Sequence, residues 1–169
     1  MTRSGVFILC CFAPVWLLLA KLQNAPLPWA VVALAICVSA VLIWLRRQTT
    51  DVPAVQSLAE RKRIGRVFIW SSMGEGVGIL IAINVLNAMH MEDRVLPGIA
   101  LIVGLHFIPI GLKVPMVVAF FLAASLCVSS LAGFFIPAVE YAALFVGWAG
   151  ALILWAAVGH AIYSSRARA

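Results

Sequence analysis

The sequence predicts an all-α integral membrane protein: a compact bundle of six transmembrane helices with both termini in the cytoplasm. Three observations predict it. Hydrophobic residues make up 64% of the 169 residues and charged residues only 11%, against about 25% charged in a soluble domain. The mean hydropathy is +1.11. The apolar residues gather into six runs near the ~20 residues that a helix needs to cross a ~30 Å hydrocarbon core. Finally, ten of the twelve Lys and Arg residues fall on one side of a six-crossing topology, the side that the positive-inside rule places in the cytoplasm.

The runs are 6–22, 27–45, 66–89, 96–112, 115–135 and 139–162, a single transmembrane domain over 1–169 with a cytoplasmic loop at 46–65. Helices are expected because backbone groups in lipid must satisfy one another; the alternation of a membrane β-barrel is absent. The first run has the apolar core of a signal peptide, VFILCCFAPVWLLLA, but no A-x-A site follows, so it reads as a retained helix. Trp29, Trp44 and Trp70 sit near span ends, as an aromatic belt requires. In the 46–65 loop, Pro53 opens a short helical stretch. The loop closes on ERKRIGR, which reads either as an interfacial segment whose Arg61, Lys62, Arg63 and Arg66 meet anionic lipid headgroups or as a solvated loop that only fixes orientation. Only Lys21 and Arg94 fall on the opposite side. The expected location is the cytoplasmic (inner) membrane.

The third run carries the one unusual residue, Glu75, in WSSMGEGVG. It lies nine residues past Arg66, about 13 Å into the membrane, where a carboxylate needs a partner, a proton or water. Ser71 and Ser72 lie one turn earlier, and Gly74 and Gly78 form a small-xxx-small pair suited to close helix approach. "GEGVG" lacks the spacing of a phosphate-binding loop. The expected partner is His106 in the fourth run, seven residues before Lys113 and so at similar depth on an antiparallel neighbour. Pro109 beside it is expected to kink the helix and free the carbonyl of Leu105. Asn84 and Asn87 share one face and are expected to serve a contact between helices or an outward-facing vestibule. His90, Glu92, Asp93 and Arg94 form a solvated outer turn. In the sixth run Ala143, Gly147 and Ala151 form a packing stripe for the bundle or a second protomer.

No zinc-protease or serine-hydrolase motif is present, so enzymatic activity is not expected. Neither a metal nor a cofactor is expected: Cys10, Cys11, Cys37 and Cys127 lie singly or adjacent in apolar runs without metal-ligand spacing. The net charge of +6 follows topology and accompanies no nucleic-acid module. The partners expected are the bilayer, anionic headgroups, and a second copy or a larger membrane complex. Two functions fit: transport of a small solute or ion linked to a buried Glu75–His106 site that includes Ser71 and Ser72, or a structural or accessory subunit without transport activity.

Overall fold

The computed structural model of the protein describes residues 3–48, 57–113 and 117–166. Six helices carry the fold: α1 Arg3–Leu22, α2 Trp29–Arg47, α3 Leu58–Ala88, α4 Val95–Lys113, α5 Val117–Phe135 and α6 Val139–Arg166. Each is long and apolar enough to cross a membrane, and no strand occurs among the described residues. The expected start of the fifth span at Pro115, and the short helix expected from Pro53, lie outside the described residues.

The largest departure from the sequence reading concerns the basic segment. Residues 58–65 are not loop; they are the first two turns of α3, continuous with its membrane span. The reason is local. The Ser57 hydroxyl accepts the backbone N–H of Glu60 at 3.2 Å, the N-cap half of an S-x-x-E capping box, and Glu60 places its charge in the first turn. At 31 residues, α3 is about 46 Å long. It exceeds a ~30 Å core, so its basic start stands beyond the hydrocarbon.

The far end of α3 is closed by a Schellman turn. Met91 N–H donates to Leu86 O at 2.8 Å, and His90 N–H donates to Asn87 O at 3.0 Å. His90 adopts a left-handed φ of 56° between them. A 3₁₀ turn at Glu92–Arg94 then leads directly into α4, which makes α3 and α4 antiparallel neighbours.

Of the turn that the sequence reads as solvated, His90 and Glu92 are exposed and Asp93 partly so, but Arg94 is not. The Arg94 side chain is only 13% exposed. Its guanidinium donates to the carbonyls of Gly133 at 3.1 Å, Phe134 at 3.3 Å and Ile136 at 2.7 Å. These belong to the last turn of α5 and the residue that follows it, where carbonyls lack helical donors and a cation is favoured.

The helices form a chain of neighbours in which α3 packs on α4, α4 on α5, α5 on α6, α6 on α1, and α1 on α2. Small residues set the closest approaches, as expected where lipid gives no hydrophobic drive between helices. A Cβ on Gly147 would lie 2.6 Å from the Ala20 Cβ and 3.1 Å from the Trp16 carbonyl oxygen. Ala143 and Ala151 are fully buried on the same stripe, so its face in this chain is α1. Gly104 brings α4 onto the Cys127 backbone of α5. Ser130 donates to Pro97 O at 2.6 Å across that interface, and Trp155 donates to Ser39 Oγ at 3.0 Å between α6 and α2. All four cysteines are free thiols.

α3 stands apart from this pattern. None of its residues from Lys62 to Ala88 is fully buried. It rests on α4 along one line of half-buried residues that includes Ile64, Ser71, Glu75, Gly78, Ala82 and Leu86, the three-and-four spacing of a two-helix seam.

Candidate functional site

The seam between α3 and α4 contains the polar cluster. Its geometry begins with Ser71 and Glu75, one turn apart on the α4-facing line of α3, and His106 opposite on α4. The Ser71 hydroxyl donates to the His106 carbonyl oxygen at 2.9 Å, and the same Ser71 oxygen is 3.1 Å from His106 Nδ1. Glu75 Oε2 lies 3.5 Å from Nδ1. Ser71 has one hydroxyl proton, and a carbonyl can only accept. Once that proton is given to the carbonyl, the Ser71 oxygen accepts from Nδ1, which assigns the imidazole proton to Nδ1. Nδ1–H then points toward Ser71, and the Glu75 carboxylate lies within 3.5 Å of the same nitrogen. The His106 side chain is 9% exposed and that of Glu75 23%, so the imidazole is enclosed while the carboxylate retains an open side.

That open side is a groove of about 860 Å³ between α3 and α4. Glu75, His106 and Ser71 line its depth, and Arg63, Arg66 and Lys113 line its mouth. Between them lie Trp70 and Leu105. By helix rise the two levels are about 10 Å apart along α4 and about 13 Å along α3. The groove therefore runs from a cationic rim to a titratable pair near mid-membrane depth.

The residues singled out from sequence divide around this groove. Glu75, His106 and Ser71 are brought together. Ser72 is not: it is exposed and lies off the α4-facing line. Gly78 faces α4, where a Cβ would lie 2.9 Å from Ile102 Cγ2. Gly74 faces open space with nothing within 4 Å, so the close approach is made by Gly78 alone rather than by the pair. Pro109 lines the groove within an α4 that stays helical from Val95 to Lys113, and the carbonyl that receives a side-chain donor is that of His106, not that of Leu105. Arg63 and Arg66 are exposed at the rim. Lys62 is exposed without lining the groove, and the side chain of Arg61 lies outside the described residues. Asn84 does not reach another helix: its amide donates to Leu80 O at 2.7 Å, one turn back on its own exposed face.

Two participants were not anticipated at the site. Lys113 served only as a depth marker and Trp70 only as a belt residue, yet both line the groove. The signal was present in the spacing: Arg63, Arg66, Trp70 and Gly74 follow one another at three and four residues, and so share a helix face. Among the described residues, no three His, Cys, Asp or Glu side chains lie close enough to hold a metal ion. No protein-family model, curated protein or solved structure matches the chain.

Proposed function

We propose that the chain is a small carrier of the inner membrane, in which movement of a small solute or ion is linked to a proton held by Glu75 and His106. The positive-inside asymmetry supports a cytoplasmic position for the cationic rim of the groove and for both termini. The observation that carries the reading is the pairing of Glu75 Oε2 with His106 Nδ1 at 3.5 Å at a depth where ionisable side chains are costly, with the carboxylate open to a groove. A purely structural lock would gain from enclosing both partners. Here one is enclosed and the other is accessible, the arrangement a proton relay requires.

The test uses proteoliposomes containing a pH-sensitive dye, with an imposed proton gradient and a panel of small cations, amines and carboxylates outside. The wild-type chain is expected to collapse the gradient faster than protein-free liposomes for at least one solute. Glu75→Gln keeps the shape and removes titration, so it is expected to return the rate to that of empty liposomes while eluting as a folded protein. Wild-type rates equal to empty liposomes across the panel, or full flux in Glu75→Gln, would overturn the reading.

A second reading, an accessory subunit docking on a second copy or a larger complex, has one observation in its favour. The face of α3 that carries Ile69, Met73, Leu80 and Ile81 is exposed along its length, and Gly76 on α3 also faces open space. A chain that stays monomeric in nanodiscs and carries solute alone would remove this reading.

A further inference from the structure

We propose that the α3–α4 groove is a specific site for an anionic phospholipid drawn from the surrounding leaflet. The phosphate is held by Arg63, Arg66 and Lys113, and one acyl chain lies over Trp70 and Leu105 toward Gly74. This goes beyond the proton-linked reading and stands without it, since it uses the rim and wall of the groove rather than its titratable pair.

Four observations carry it. First, the cations converge from two helices. Arg63 and Arg66 are one turn apart on α3, Lys113 ends α4, and all three line one groove. A belt that served only to fix orientation has no need to focus charge on a single seam. Second, these cations are exposed, and no acidic side chain pairs with them among the described residues, so their charge is available to a ligand. Third, the wall below them is apolar and lipid-accessible: Trp70 is 69% exposed and Leu105 45%. Fourth, Gly74 leaves the groove unfilled, with nothing within 4 Å of where its Cβ would stand. A soluble anion would use only the first two features. An anionic lipid uses all four, because its phosphate sits at headgroup level where the helix leaves the hydrocarbon and its chain follows the wall inward.

The experiment uses the full-length chain in nanodiscs of phosphatidylcholine containing a fraction of phosphatidylglycerol, then native mass spectrometry of the released protein. The wild type is expected to retain one phosphatidylglycerol in preference to phosphatidylcholine. Arg63→Gln, Arg66→Gln and Lys113→Gln are each expected to reduce that preference about fivefold, the effect of removing one cation near an anionic headgroup. Gly74→Phe keeps every cation and adds a side chain where nothing stands, so it is expected to fold normally and lose the retained lipid. Equal retention of the two lipids by the wild type would overturn the proposal, as would full preference in the three single-cation variants or an undiminished lipid in Gly74→Phe. Displacement of the lipid by millimolar inorganic phosphate would reassign the rim to a soluble anion and also overturn it. Glu75→Gln is expected to retain the lipid, so loss of proton-linked flux and loss of lipid are read by different residues.

Discussion

Two glycines one turn apart on α3 make a matched experiment on the seam that builds the site. Gly78→Ala places a Cβ 2.9 Å from Ile102 Cγ2, whereas Gly74→Ala places one in open space. Carbon atoms in good contact sit about 3.5–4.0 Å apart, so the Gly78 variant must open the seam by roughly 0.6–1.1 Å or move Ile102. Ile102 is β-branched and stiff at χ1, and its Cγ2 is attached directly to Cβ, so it has little room to give. Both substitutions gain the same helix propensity, up to about 1 kcal/mol, and this cancels in the comparison. The remaining difference is the cost of overpacking, about 1–3 kcal/mol. Gly78→Ala is therefore expected to be less stable than Gly74→Ala by that amount.

The site should report the same displacement. Ser71 Oγ to His106 O is 2.9 Å and Glu75 Oε2 to His106 Nδ1 is 3.5 Å. Opening the seam by roughly 0.6–1.1 Å carries the first distance past the limit of a useful hydrogen bond. Reversible unfolding in mixed micelles measures the stability difference, and the flux expected of the proposed carrier in liposomes would report the site. Equal unfolding free energies for the two variants, within about 0.5 kcal/mol of combined additivity error, would show that α3 does not rest on α4 at Gly78.

Three further outcomes are expected. Arg94→Gln removes a guanidinium from four carbonyls at and just beyond the end of α5; charge-assisted bonds contribute about 1.5–3 kcal/mol, and a loss of about 2–3 kcal/mol on that basis should appear in the same unfolding assay, with an unchanged transition arguing against the cap. Gly147→Val drives a side chain into the Ala20 Cβ and the Trp16 backbone of α1; since backbone cannot rotate away, the cost should reach the upper end of about 1–3 kcal/mol, while Gly159→Ala, with open space around it, should be neutral or stabilising. Reporter fusions at either end should both be active in the cytoplasm, and alkaline phosphatase activity from a C-terminal fusion in the periplasm would reverse the assigned orientation.

The fold class was legible because hydropathy over a span-length window needs no tertiary information. The limits of α3 were also written in the chain, but in another notation: Ser57 and Glu60 are spaced as a capping box, and charge in ERKRIGR hides a helix from a hydropathy reading. Depth matching was enough to pair Glu75 with His106 across a short turn. It could not choose between Ser71 and Ser72, which lie four and three residues before Glu75. That choice depends on how α3 is rotated against α4, visible only in the longer line through Ile64, Gly78 and Leu86. Arg94 was beyond local reading altogether. Its acceptors lie 39 to 43 residues ahead, and nothing in EDR distinguishes a solvated turn from a cap on a distant helix.

The position of the cluster in the fold bears on what it can do. The α1–α6 and α4–α5 interfaces close on small residues and backbone, through Gly147 and Gly104. The α3–α4 seam is different: α3 buries no residue completely between Lys62 and Ala88, leans chiefly on α4, and is latched there by a serine, a carboxylate and an imidazole. Displacing α3 breaks fewer buried contacts than displacing any central helix, and regions of low contact density are those that open at least cost. A helix at the edge of the bundle, attached chiefly along one seam that carries an ionisable pair, is the arrangement that the proposed proton-linked carrier would use.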